Sequence, residues 1–177
     1  MTKLLSTEQM AEFANSGCLF FEGLIDEDIN KEFLNDIGHT DIDDVDNIQH
    51  YFQNIKSSSS IPRIPAGTVL KDAYPLNSPL EKIFKNEIVS GAINSLVGSK
   101  TVVDHQFLHL TFPSKYYAKA NQRQMSQVNH QDSTIDPRTT FDIQLFYFPT
   151  AVTKEMGGTR YIPCLLYTSP SPRDGTS

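Results

Sequence analysis

Cysteine is nearly absent: 177 residues hold two, Cys18 and Cys164, too few for a disulfide scaffold. No apolar run approaches the roughly 20 residues that span a bilayer, and the first residues carry no signal-peptide h-region. Basic runs are missing as well. With 15 basic and 21 acidic side chains the formal net charge is -6, which argues against nucleic acid or an anionic membrane as partner, because both need clustered Lys and Arg. No internal repeat is visible. These absences lead to the expectation of a cytoplasmic protein with neither membrane nor nucleic-acid partners. What is present, 38% hydrophobic and 20% charged residues, belongs to the globular class, at a length that suits one domain.

The first forty residues carry two helix signatures. Ser6-Thr7-Glu8-Gln9 has the form of a capping box, Met10, Phe13 and Ala14 recur at helical spacing, and Gly17 can supply a left-handed stop. Cys18–Phe21 is a short apolar run consistent with a strand, closed by Gly23. Asp26 is placed to cap a second helix whose apolar stripe is Ile29, Phe33, Leu34 and Ile37, ended by Gly38. The acidic stretch 39–47 is no EF-hand, since the sixth and twelfth positions counted from Asp41 hold Asp46 and Phe52 instead of Gly and Glu. Residues 56–65 read as an irregular connection. Ser78-Pro79 then opens a helix with Pro at its first position, with Leu80, Ile83, Phe84, Ile88, Ile93 and Leu96 on its buried side and Gly98 at its end. From residue 101 the period turns to alternation, and Thr101–Pro113 and Phe141–Phe148 read as strands. The expected architecture is α+β, a helical N-terminal half on a β-rich C-terminal half.

Residues 164–177, CLLYTSPSPRDGTS, shift to Ser, Pro and Thr and on physical grounds read as a flexible tail. The first eleven of them resemble the conceptual translation of a transposon-derived sequencing-library adapter. That resemblance implies that residues 1–163 are native and 164–177 are not, so the tail is left out of fold reasoning. Arg173 and Asp174 cancel, and Cys18 becomes the single native cysteine.

Histidines are few: His39, His50, His105, His109 and His130. Two sit in an HxD pattern, His39-Thr40-Asp41 and His130-Gln131-Asp132. On a strand, side chains two apart point the same way, so an imidazole and a carboxylate can converge on one metal. Five histidines and thirteen aspartates give about 0.4 such pairs by chance, so context decides. His39 lies in an acidic loop at a helix end, where a solvated side chain is the simpler reading. His130 lies between the two strand segments, where a metal-ligand role and a structural one stand level.

The stretch 130–163, HQDSTIDPRTTFDIQLFYFPTAVTKEMGGTRYIP, resembles the phytanoyl-CoA dioxygenase family of iron(II)- and 2-oxoglutarate-dependent oxygenases. HQD is a common form of that family's metal motif, FDIQLFYFP follows at the right distance, and GGTRYIP looks like the start of its GxxxxxPGSH segment. LSTEQMAEFANSGCLFFEGLIDEDI is similar to the family's opening helix, strand and second helix. The likeness spans most of residues 4–163, with 39–75 contributing little. It implies a double-stranded β-helix (jelly-roll or cupin-like) with N-terminal helices, incomplete here because the C-terminal strands are missing. His130 and Asp132 match the first two ligands of a two-His, one-carboxylate triad, a geometry that leaves adjacent metal positions open for 2-oxoglutarate and dioxygen. The implied cofactors are Fe(II) and 2-oxoglutarate, with ascorbate as an accessory reductant. The implied reaction is hydroxylation of an unactivated C–H bond in a small organic or acyl substrate. A carboxylate at Asp132 favours hydroxylation over halogenation, since related halogenases have a small residue there.

The chain departs from the family at its end. No His follows His130, and the later arginines are Arg138, Arg160 and Arg173, so the distal His ligand and the Arg that clamps the cosubstrate lack counterparts. A bidentate Arg clamp is not replaced by a generic charge, and the chain as written is expected to bind iron weakly and not turn over. Phe107 and Phe146 match positions where the family lines the cosubstrate pocket, and a plain core role for both stands equally. Gln144 shares a strand face with Phe146 and Asp142. His105 and His109 also share a face, with a substrate-side role preferred over a metal pair. Arg138 and Arg160 read as surface or loop-pairing residues, and Gly157-Gly158 as a turn needing positive φ. Two rival readings remain. One is a noncatalytic cupin-like binding module in which His130 and Asp132 are structural. The other, weaker, is a zinc hydrolase built on His105, His109 and His130, which lacks a placed general-base Glu.

Overall fold

The computed structural model describes residues 2–40, 53, 55, 61–110, 142–153, 156, 158, 159 and 161. Helix α1 spans Thr7–Ser16, and its start is set by the expected capping box. Ser6 Oγ accepts from Gln9 N at 3.2 Å, while Ser6 N donates to Gln9 Oε1 at 3.0 Å. The helix ends at Gly17, φ 77°, whose N–H donates to Phe13 O. The strand expected over Cys18–Phe21 is absent, and Ser16 supplies the reason. Its hydroxyl accepts from Cys18 N, and its one proton is shared between Glu12 O and Cys18 O, each at 2.8 Å, so Cys18 is held by a local turn in place of a ladder.

Helix α2, Glu27–Asp36, starts at Asp26 without a side-chain cap bond, contrary to the expected role of that residue. Glu27 and Asp28 in the first turn supply the negative charge that an N-terminus favours. Its far end closes in a Schellman arrangement: Gly38 N donates to Asn35 O at 3.0 Å and His39 N to Leu34 O at 2.9 Å. Phe33 and Ile37 of the expected stripe are buried.

The single helix expected from Ser78 to Gly98 is two. Helix α3 covers Pro79–Lys85, with Ser78 Oγ accepting from Glu81 N and Pro79 in the first turn. Helix α4 covers Glu87–Leu96. The break is Asn86, at φ -52° and ψ 133°, whose Oδ1 accepts from Ile88 N and Val89 N. An Asn that caps locally competes with helix continuation, and here it turns the chain. The buried side of α4 shifts accordingly to Val89, Ala92 and Ile93, while Ile88 and Leu96 are half-buried.

Helix α2 packs on α3, and α3 on α4. The core is Phe33, Ile37, Ile55, Ile83, Val89, Ala92, Ile93 and Val103. Beside this helical layer, β1 (Thr68–Val69) pairs antiparallel with β2 (Val102–Val103) in the register Thr68↔Val103 and Val69↔Val102. A two-residue ladder is marginal alone and depends on packing, here through buried Val103. Residues 104–110 and 142–148 join no ladder, so of the described part of the expected strand Thr101–Pro113, residues 101–110, only Val102–Val103 is one, and the described part of Phe141–Phe148 is none.

The N-terminal segment is tied across α4. Lys3 N donates to Glu87 O at 3.0 Å, and Leu5 N donates to Ser95 Oγ at 3.0 Å. The crossing depends on Gly91, where a Cβ would lie 1.7 Å from Lys3 O.

Candidate functional site

His130 and Asp132 lie outside the described residues, as do Arg138, Arg160, Gly157, the acidic stretch 41–47 and the tail 164–177. What is described are the two segments that flank the HQD motif along the chain, 101–110 before it and 142–149 after it.

In the first segment, alternate side chains differ in exposure. Gln106, Leu108 and Leu110 are half-buried, whereas His105, Phe107 and His109 are exposed. Gln106 is held by both ends of its amide. Its Oε1 accepts from Tyr74 Oη at 2.8 Å and its Nε2 donates to Pro62 O. Among the exposed side chains, the Phe107 ring meets both imidazoles, His105 at 5.8 Å and His109 at 6.2 Å between centroids. His105 Nδ1 is engaged by Asp104 Oδ2 at 2.8 Å. His105 and His109 therefore share a face as expected, with the Phe107 ring between them. Among the described residues no group of three or more His, Cys, Asp or Glu could hold a metal ion.

The second segment is anchored by Tyr147. Its Oη donates to Asn30 Oδ1 at 2.6 Å, and its ring stands edge-on to Phe33 at 5.3 Å. Burial pushes the Tyr147 phenol up to about 12, and burial likewise pushes Tyr74 up to about 12. Both hydroxyls therefore stay protonated donors at neutral pH. Asp142, Gln144, Phe146 and Phe148 are exposed, and the Phe146 ring stacks on Phe148 at 6.4 Å. Phe107 and Phe146 are thus 68% and 57% exposed, and each ring finds its partners within its own segment. Neither ring is buried in this structure. Gly157 of the expected Gly157-Gly158 turn lies outside the described residues. The missing side chain of Gly158 admits Val152, whose Cγ1 would lie 3.0 Å from a Cβ.

The sequence gives no hint of a second feature, a half-open groove of about 300 Å³ between β1, α3 and α4. Tyr74 and Phe84, stacked at 4.9 Å and 14° between planes, form one side of it. Lys85 and the buried Glu81 lie in the same lining, paired at 2.6 Å. The Lys85 ammonium, and after it the Asn77 amide, hold the Glu81 carboxyl below its ordinary value. Tyr74 belongs to an irregular turn and Phe84 to a helix, so no single periodicity links them.

No family model matches this chain, and no curated protein or solved structure does either.

Proposed function

We propose that residues 1–163 are the N-terminal part of an iron(II)- and 2-oxoglutarate-dependent dioxygenase of the phytanoyl-CoA dioxygenase type. The observation that carries the reading is the HQD motif at 130–132, followed by FDIQLFYFP and GGTRYIP at the family's spacing. His130 and Asp132 would hold the iron. An imidazole and a carboxylate two residues apart form a donor set suited to iron(II), and the third ligand would come from beyond residue 163. When bound, the metal supplies the chemistry that couples oxidative decarboxylation of 2-oxoglutarate, to succinate and carbon dioxide, with insertion of the second oxygen atom into a substrate C–H bond.

The chain's own residues have simpler tasks. Tyr147 on Asn30 ties one flanking segment to α2, and Gln106 on Tyr74 ties the other to the turn stacked on Phe84, while His105, Phe107, Gln144 and Phe146 are exposed. Phe107 and Phe146 would line the cosubstrate site with apolar surface, and Gln144 would offer a polar contact to it. These exposed side chains suit a wall that further strands complete, because exposed aromatic rings gain most from being covered.

The test is succinate formation from 2-oxoglutarate by the protein extended with the coding sequence that follows Pro163 at the source locus. Iron-dependent succinate release that is lost in His130→Ala supports the reading. An extended protein that folds and binds small molecules, yet forms no succinate, supports the noncatalytic cupin-like module instead.

A further inference from the structure

We propose that Asn30 of α2 is a positioning residue: its Oδ1 selects Tyr147, over Phe146 and Phe148 beside it, as the ring that packs on the helix, and this fixes the register of residues 142–149. Three aromatic rings follow one another at Phe146-Tyr147-Phe148. As apolar surface they are near equals, and any of them could meet Phe33 edge-on. Backbone pairing does not choose among them, because 142–148 joins no ladder. Yet Tyr147 is the half-buried one, its ring 5.3 Å from Phe33 at 76° between planes. Phe146 and Phe148 are 57% and 50% exposed and stack on each other.

What sets Tyr147 apart is its hydroxyl, which donates to Asn30 Oδ1 at 2.6 Å. Asn30 Nδ2 donates to Ile25 O at 3.3 Å, and this leaves the oxygen of the amide as the group that meets Tyr147. Asn30 and Phe33 are three apart on α2, so acceptor and ring lie on one face of the helix. The reference point is firm, since Phe33 is a core residue and Glu32 Oε2 accepts from Lys82 Nζ of α3 at 2.5 Å. A phenylalanine in the same place would leave Asn30 Oδ1 without its donor. In an extended segment a slip of one residue also exchanges the two faces, which would carry Gln144 and Phe146 from the exposed side to the α2 side. The consequence for catalysis rests on the dioxygenase reading: Gln144 and Phe146 reach the cosubstrate only in the register that Tyr147 holds.

The test is NMR on the full chain, reading nuclear Overhauser contacts of the Phe33 ring. In the parent they should be strongest to Tyr147. Asn30→Leu has similar size but no acceptor, and should raise the share of contacts to Phe146 or Phe148 about fivefold, the weight of one net hydrogen bond. Asn30→Asp keeps the acceptor and should keep the parent pattern. The double exchange Phe146→Tyr with Tyr147→Phe moves the hydroxyl by one residue, and the strongest contact should move to position 146. A parent pattern retained in Asn30→Leu, a shifted one in Asn30→Asp, or contacts that stay at position 147 in the double exchange overturn the proposal. In the protein extended beyond Pro163, Asn30→Leu should raise the KM for 2-oxoglutarate about fivefold and leave iron(II) affinity unchanged. An unchanged KM overturns the link to the cosubstrate. An extended protein that forms no succinate, while the NMR pattern shifts as expected, overturns the dioxygenase reading and upholds the register.

Discussion

Replacing Gly91 with alanine sets two effects of opposite sign against each other. Inside a helix, alanine is better than glycine by about 1 kcal/mol, so propensity alone makes Gly91→Ala stabilising. Yet the added Cβ would lie 1.7 Å from Lys3 O and 2.4 Å from Lys3 C. Those are backbone atoms, and no side-chain rotation relieves the overlap. The N-terminal segment must lift off α4, which breaks Lys3 N–Glu87 O and Leu5 N–Ser95 Oγ at about 1 kcal/mol each and uncovers half-buried Leu5. Losses of about 2–3 kcal/mol against a gain of about 1 leave a net destabilisation of roughly 1–2 kcal/mol. At this chain length that lowers the Tm by roughly 2–8 °C. Thermal melts followed by circular dichroism read it directly. A second background separates the terms: with residues 1–5 deleted the overlap is gone, and the same substitution should raise the Tm. A full-length Gly91→Ala protein that melts at or above the parent refutes the reasoning.

Asn86→Ala removes the acceptor for Ile88 N and Val89 N and should cost about 1 kcal/mol in denaturant unfolding, within the usual 0.5–2 range for a lost N-cap. Tyr147→Phe keeps the ring against Phe33 but deletes the bond to Asn30, and about 0.5–1.5 kcal/mol should go with it. An alkaline absorbance titration should find Tyr74 and Tyr147 ionising near 12 rather than near 10. Both phenols hold their protons more tightly when folded, so their contribution is complete below pH 10 and is lost as pH rises toward 12. Tyr147→Phe should remove part of the late component.

The helical half was legible because its signals are local. A capping box at Ser6–Gln9 and the glycine stops at Gly17 and Gly38 act within a few residues, and the sequence displays them directly. Asn86 shows the limit of periodicity. Apolar spacing runs through it unbroken, and only the choice of its side chain to cap Ile88 and Val89 divides the helix. Cys18–Phe21 carries the right residues for a strand, but the Ser16 hydroxyl holds Cys18 in a local turn at its start. Alternation placed His105 and His109 on one face, and both rings meet Phe107 there. Alternation cannot supply a ladder partner, which is a non-local matter, and 104–110 joins none. The groove was invisible for the same reason, since it is assembled from a strand, a turn and two helices.

The proposed iron ligands are His130 and Asp132. The most direct measurement is an anaerobic titration of the extended protein with iron(II) and 2-oxoglutarate, followed by visible absorption. One equivalent of iron should produce a metal-to-2-oxoglutarate charge-transfer band, and His130→Ala and Asp132→Ala should each abolish it while leaving the far-ultraviolet circular dichroism unchanged. A folded extended protein without the band, or a band that survives both substitutions, contradicts that assignment.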